Sequence, residues 1–401
     1  MVSKFVYVIA TMDTKGIELQ YVADCLRVAG VQVKVVDVGT GGPPTGQPDV
    51  TSDELQGNAA KVSFESRAEA VTAMGEALQR YLMNKADAGQ LAGVIGIGGS
   101  GGTALITPAM RSLAIGVPKL MVSTVASGNT APYVDCSDIT MMYSVVDVAG
   151  LNVVSRKVLG NAAHAMAGMV QHRVDAVADK PTLGMTMFGV TTPCVDAVRE
   201  QLEKTGHQCL VFHATGTGGR AMERLVESCL LQGVLDITTT EVADEVVGGV
   251  FPAGSQRFKK LVESGAPVIL SLGALDMVNF GAWETVPDQF SDRLFHVHNA
   301  QVTLMRTNAE ENRLIARWIA TRIRKTISPM VVIIPELGLS ALDAPGQPFH
   351  DPGTNAILFQ ELEEHLKGCQ MCQVVRISQH INDREFAECV VQHYNALASR
   401  Q

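Results

Sequence analysis

Short apolar runs rich in β-branched residues alternate with stretches of helical spacing along the whole chain. In the first half, residues 5–10 read as a buried strand, 17–28 as a helix closed by Gly30, and 32–38 as a second strand. Strand, helix and strand in so short a span require a right-handed crossover onto a parallel sheet. The stretch 39–49, GTGGPPTGQPD, can continue neither element and reads as a loop. Helical spacing returns over 66–84, followed by a strand over 91–97, a helix over 103–113, a strand over 119–124 and a long helix over 147–172.

The pattern then restarts. Strands are expected over 182–190, 208–214, 234–238, 267–274, 330–335 and 373–377. Helices are expected over 193–204, 219–231, 306–326, 355–366 and 383–397. Such alternation specifies an α/β class: two Rossmann-like domains, each with a mostly parallel sheet flanked by helices. The boundary falls near residue 180, giving domains 1–180 and 181–401 without a position-by-position repeat.

Length agrees, because 401 residues exceed the roughly 250–300 at which one hydrophobic core stops growing. A hydrophobic fraction of 46% and a charged fraction of 18% fit globular domains and exclude disorder. The net charge of −9 argues against a nucleic-acid partner, since the one basic cluster, 317–325, lies on a helical stretch as a solvated face. No apolar run reaches 18 residues, and the N-terminal strand lacks the pattern of a signal peptide, so no membrane association is expected. Eight scattered cysteines suit a reducing, cytoplasmic setting, and the single CxxC of Cys369 and Cys372 cannot alone make a four-ligand zinc site.

The strongest chemical signal is VIGIGGSGGTALITPAM, where a buried strand runs into Gly98, Gly99, Ser100, Gly101 and Gly102 before a helix opens at Thr103. Amides without side chains approach phosphate oxygens closely, and a helix N-terminus adds partial positive charge. Lys does not follow the turn, so this is not a Walker-type loop, and the literal GxGxxG of Gly96, Gly98 and Gly101 is weak by itself. A glycine turn made only for tight packing is the ordinary alternative. At the end of the first strand stand Thr11, Asp13, Thr14 and Lys15, where ligands of open parallel sheets gather. Lys15 would neutralise phosphate, and Asp13 would hold magnesium or cap the next helix. Asp37, ending the second strand, is a candidate acceptor for a ribose hydroxyl. Ser127, Gly128 and Asn129 form a polar loop after the strand at 119–124, suited to close over a nucleotide or to serve as a surface turn.

In the second half HATGTGGRAMERL repeats the logic, with Gly216, Gly218 and Gly219 before a helix and Arg220 as a fixed cation. His296 and His298 alternate onto one side of any extended segment. They are candidates for proton transfer, and no third ligand completes a metal site. The long polar loop 336–352 gathers Glu336, Ser340, Asp343, His350 and Asp351.

The chain resembles the tomato mosaic virus resistance protein family of plants and its bacterial homologues. The resemblance rests on TMDTKGIEL at 11–19, GIGGSGGTAL at 96–105, DVAGLN at 147–152, GTGGRAME at 216–223, ELGLSALDAPGQPFHDP at 336–352 and HINDREFA at 380–387. It spans nearly the whole chain in order. The resemblance implies paired Rossmann-like halves, ATP with Mg2+, and a homodimer, with ATP carried onto residues 98–103. The barrel domain that follows this unit in the plant protein is expected to be absent from these 401 residues.

Two function classes follow, with a third in reserve. The first is an ATP- and Mg2+-dependent enzyme acting on a small acidic metabolite, with Arg220, His296, His298 and Asp351 presented to the co-substrate across an interdomain cleft. The second is a non-catalytic, nucleotide-gated binding module. The literal GxGxxG suggests an NAD(P)-dependent oxidoreductase, although the turn follows the third strand and does not open the fold.

Overall fold

A computed structural model describes residues 3–57, 66–172, 174 and 180–399. Contacts divide the chain into two compact units, residues 1–176 and 177–401.

The first unit runs β1 (Phe5–Ala10), α1 (Met12–Val28), β2 (Val33–Asp37), α2 (Ser52–Gln56), α3 (Arg67–Asp87), β3 (Leu91–Gly98), α4 (Ser100–Ser112), β4 (Lys119–Ser123), α5 (Ala131–Val134), β5 (Thr140–Tyr143) and α6 (Val153–Gln171). Its five strands lie parallel in the order β2-β1-β3-β4-β5. Strand alternation sends Val6 and Val8 to one face, against Leu19, Val22 and Leu26 of α1 and Leu159 and Met166 of α6. Tyr7 and Ile9 go to the other face, against Met74 and Leu78 of α3 and Ile106 and Met110 of α4. Helices therefore cover both sides. The chain steps outward from β1 to β2, then returns past β1 to β3, so the strand order reverses between β1 and β3. Crevices for ligands form beyond the carboxyl ends of strands at such a reversal.

Three local departures from the sequence pattern shape that crevice. Helix α1 starts at Met12, five residues before its apolar spacing begins, and is interrupted at Lys15 (φ −131°, ψ 21°). Helix α4 starts at Ser100, so Gly101 and Gly102 lie inside its first turn. The expected helix over 147–172 begins only at Val153, where the Asn152 side chain accepts the amides of Val154 and Ser155, both at 2.9 Å. Residues 144–150 are instead a loop tied to α1: the Lys15 ammonium donates to the Val148 carbonyl at 2.6 Å, and Glu18 accepts the Gly150 amide.

The second unit runs β6 (Thr182–Met187), α7 (Thr192–Lys204), β7 (Gln208–His213), α8 (Thr217–Glu227), β8 (Gly233–Thr238), α9 (Thr240–Val247), α10 (Lys259–Glu263), β9 (Val268–Gly273), β10 (Met277–Phe280), β11 (Phe295–Asn299), β12 (Val302–Arg306), α11 (Ala309–Ile323), β13 (Met330–Pro335), α12 (Pro352–Leu366), β14 (Cys372–Ile377) and α13 (Arg384–Ala398). Six strands form a parallel sheet in the order β14-β13-β9-β8-β6-β7, reversing at β6. Between β9 and β13 the chain inserts an antiparallel sheet, β10-β12-β11, that its short runs did not announce. Arg306, expected in a helix, ends β12; α11 begins after Asn308, whose side chain accepts the Glu311 amide at 2.9 Å while Glu311 returns a carboxylate to the Asn308 amide at 2.8 Å. Among the described residues no helix is long and apolar enough to cross a membrane.

Candidate functional site

Beyond the carboxyl ends of β1 and β3 the first unit opens a cavity of about 1210 Å³. Its lining includes Thr11, Asp13, Thr14 and Lys15 from the start of α1, Ser66 and Arg67 from the start of α3, and Gly99, Ser100, Gly101 and Gly102 from the start of α4. Three helix N-termini thus face one space. Each brings the positive end of its dipole, although in α1 the Met12 amide is met by Asp37 and those of Thr14 and Lys15 by the Thr11 carbonyl, and in α3 the Glu69 amide is met by Ser66. In α4 Thr103 is the first amide to bond back, to the Gly99 carbonyl at 2.9 Å. Added Cβ atoms report the room around that turn. At Gly101 one would meet nothing within 4 Å, and at Gly99 and Gly102 the nearest atom lies 3.7 Å away. Lys15 and Arg67 supply cationic side chains, and Pro43, Ala70, Val71 and Leu105 supply an apolar wall.

Among the described residues Asp13 carries the one carboxylate in this lining. Its Oδ2 accepts the Gly41 amide at 3.0 Å, which fixes the 39–43 loop as one wall, while Oδ1 is buried without a hydrogen-bond partner. A carboxylate beside a cavity repels an anion there unless a cation stands between them. Magnesium takes one or two carboxylates together with phosphate oxygens and water, so Asp13 fits that role. The loop approaches α1 closely: a Cβ at Gly16 would stand 1.9 Å from the Thr45 carbonyl oxygen, which explains glycine there.

Other expected contacts lie outside the cavity lining. Asp37 is buried, and its Oδ1 is occupied by the amides of Met12 at 2.9 Å and Gly39 at 2.8 Å, so it anchors the start of α1 and is not presented to a ribose. Thr103 is fully buried, bonded to the Gly99 carbonyl at 2.8 Å and to the Ser123 hydroxyl at 2.6 Å. Gly98 is required by packing, since a Cβ would lie 2.9 Å from Gly102 Cα. Ser127, Gly128 and Asn129 follow β4 in a separate turn, where Asn129 accepts the Ala131 amide at 3.1 Å. The part of the glycine turn that lines the cavity is therefore residues 99–102. Arg67, which the sequence reading missed, had one signal: a cation in the first turn, directly after the Ser66 cap, opposes the helix dipole and is favourable only beside an anion.

The second glycine turn has a different use. Gly216 donates its amide to Glu241 Oε2 at 2.8 Å. Glu241 belongs to a buried cluster in which Arg257 binds Glu241 at 2.6 Å, Asp236 at 2.7 Å and Glu223 at 2.8 Å. Burial raises the carboxyls of Glu223 and Glu241 above their ordinary range against the pull of Arg257. Burial works to lower the Arg257 guanidinium, but the three carboxylates hold it well above its usual value. Gly219 is pressed on this cluster, with a Cβ only 1.9 Å from Glu241 Oε1, and a Cβ at Gly218 would lie 1.8 Å from the His213 carbonyl oxygen. The turn's anion is the protein's own carboxylate.

The four residues expected to do chemistry are each engaged locally. Arg220 donates from Nε to the Gly216 carbonyl at 3.1 Å and braces its own turn. Asp351 caps α12, accepting the Thr354 amide at 2.9 Å and hydroxyl at 2.6 Å, bonds that hold its carboxyl below the usual range. His296 packs edge-on against Phe349 at 6.3 Å. Of the four, His298 lines a second cavity, of about 240 Å³, together with Asn299, which the register slip between Val297 and Asn299 sets opposite Val302 of β12. The loop 336–352 is fastened from within: Asp343 accepts the Leu339 amide at 2.9 Å and the Asn355 side chain at 2.6 Å, and Ser340 donates to Asp276 at 2.7 Å. Among the described residues no three His, Cys, Asp or Glu side chains gather as metal ligands.

The model of an uncharacterised protein family, UPF0261, matches the chain in both parts, its N-terminal domain over residues 4–175 and its C-terminal domain over residues 180–398. The UPF0261 protein RA0729 of Rhizobium meliloti is 51% identical, over 99% of this chain and 100% of that protein. A UPF0261 protein of Clostridium tetani is 43% identical over 96% of each. The ToMV resistance protein Tm-1(GCR237) of Solanum lycopersicum is 47% identical over 97% of this chain and 55% of that protein, so the match spans little more than half of the tomato protein. With matches of this extent in both halves, the chain belongs to the uncharacterised protein family UPF0261.

Proposed function

We propose that the first unit binds a nucleoside triphosphate with magnesium, ATP being the triphosphate that the family resemblance implies, and that the protein uses it on a small acidic metabolite. The observation that carries the binding reading is the convergence of three helix N-termini on a cavity at the strand-order reversal, with an open glycine turn at its centre. The phosphates sit on the amides of residues 99–102, flanked by Lys15 and Arg67, and the Asp13 carboxylate of the same lining holds the metal. A dinucleotide is the weaker fit, because the glycine turn follows the third strand and does not open the fold.

One observation favours a second reading, in which nucleotide only gates a binding module: Arg220 and Asp351 are both engaged in holding their own helices. Thermal melting with ATP–Mg2+ and with NADH tests the site. ATP–Mg2+ stabilises the protein and NADH does not; absence of an ATP shift removes the reading. A turnover screen of ATP against carboxylic and sugar acids then separates enzyme from module, and tight binding with no turnover against any of them selects the module.

A further inference from the structure

We infer that the 240 Å³ cavity of the second unit is a binding site for a small uncharged aromatic compound, held by its ring. The cavity lies beyond the carboxyl ends of β6 and β7: Phe188, Gly189 and Val190 follow β6, His213 ends β7 and Thr215 follows it. Strand β6 is where the order of this sheet reverses, and small-molecule sites of open parallel sheets gather at such reversals. Val190 and Leu304 are buried in one apolar cluster with Met277 and Phe349, and Phe188 and Val302 pack on that cluster, so one wall of the cavity is core. Phe251 adds a second aromatic side chain to the lining. A dry cavity of about 150 Å³ already holds benzene, so this volume takes one ring with a substituent.

Two observations set the chemistry of the ligand. The surface that the cavity presents is almost wholly apolar, and among the described residues its lining includes no Asp, Glu, Lys or Arg. The polar side chains of the lining are exposed or already engaged. His213, His298 and Asn299 are exposed, and the His213 ring packs edge-on against Phe188 at 5.3 Å. The Thr215 hydroxyl donates to the His213 carbonyl at 3.4 Å, and the Asn299 side-chain oxygen accepts the Gln301 amide at 2.8 Å. A charged group that entered would give up water without gaining a partner. The second observation is Gly189. It lines the cavity within a short 3-10 turn, its φ is not positive, and a Cβ there would meet nothing within 4 Å. Neither backbone nor packing calls for glycine, and a larger residue would reduce the entropy that the chain loses on folding. What glycine provides at this position is open space. The rings of Phe188 and Phe251 favour an aromatic occupant, through offset or edge-to-face contacts. This inference is independent of the nucleotide reading, since it uses other residues of another unit.

Fluorine NMR tests this by titrating the full chain with fluorobenzene, para-fluorobenzoate and para-fluorobenzylamine. Fluorobenzene binds saturably, and the two charged analogues bind at least about tenfold more weakly, because their head groups are desolvated without a counter-charge. Gly189→Leu and Val302→Phe each fill the cavity and abolish fluorobenzene binding. At Gly189 the new Cβ meets no neighbour, so that variant melts no lower than the parent. Melting curves check that both variants are folded. Equal or tighter binding of either charged analogue, fluorobenzene binding that survives either folded variant, or no saturable fluorobenzene binding by the unaltered protein each overturns the inference.

Discussion

Replacing Gly101 by alanine separates a phosphate cradle from a turn made only for packing. Gly101 lies in the first turn of α4, lines the large cavity, and has no protein atom within 4 Å of an added Cβ. The methyl group therefore enters open space, and the helix gains the propensity difference between alanine and glycine, about 0.5–1 kcal/mol. For a unit of this size that raises Tm by roughly 1–4 °C without ligand. If phosphate oxygens approach these amides, the same methyl stands in their way, and a tenfold loss of affinity corresponds to about 1.4 kcal/mol. At an ATP concentration near 100 times the original Kd, ligand stabilisation is about 2.7 kcal/mol and falls to about 1.4 kcal/mol in the variant. Melting with and without ATP–Mg2+ reads both effects: a higher Tm alone, and roughly half the ATP-induced rise. Gly219→Ala is the contrasting control, since its Cβ would stand 1.9 Å from Glu241 Oε1 inside the buried ion cluster, so unit-two melting falls and the ATP response of the first unit persists. A stabilised Gly101→Ala protein with an undiminished ATP response refutes the cradle.

Two further outcomes follow from titratable groups in the second unit. Burial, with the neighbouring Asp343 charge adding to it, pushes the Asp276 carboxyl up to about 7, so the folded state keeps a proton that the unfolded state releases near the ordinary carboxylate value. That contribution is complete at low pH and is lost as pH rises through about 7; Asp276→Asn therefore gains Tm relative to the parent progressively up to about pH 7 and holds a constant gain above it, as melting across pH will show. Asp351→Ala removes the α12 cap at a cost of about 1 kcal/mol, visible as a lower Tm of the second unit that shrinks toward acid pH, where the parent's carboxylate is itself protonated. The ATP-induced shift stays unchanged in that variant, whereas a catalytic Asp351 would leave stability alone and abolish turnover.

Much of the fold was legible because both sheets bury their strands on two faces. Runs such as those of β1, β3, β9 and β13 are apolar throughout and leave little ambiguity in length or direction. What escaped is local in origin. The antiparallel strands β10 to β12 are four or five residues long and mix Asn, His and Thr with apolar residues, so no period establishes itself. The start of α1 was hidden because its first turn is polar and is held by Asp37 from the next strand, a bond that spacing along the helix cannot express. The helix expected over 147–172 was too long because DVAGLN has tolerable helical spacing, and only the Asn152 cap and Lys15, more than a hundred residues away, make it a loop.

The two glycine turns show where local sequence stops being informative about a site. GGSGGT and GTGGRA read alike: a strand ends, glycines follow, and a helix begins. Backbone amides freed by such a turn need an acceptor, and the question is where it comes from. At Gly216 the acceptor is Glu241, held in place by Arg257, whose charge is shared with Glu223 and Asp236. None of those residues is adjacent to the turn, and each is an ordinary charged residue in its own stretch. At residues 99–102 no amide bonds a carboxylate among the described residues; Asp37 is spent on α1, and Asp13 bonds the Gly41 amide. Chemistry was expected at both turns because their glycines are equivalent in kind. The difference lies in which turn already holds an anion, and the turn at residues 99–102 faces a cavity large enough to admit one.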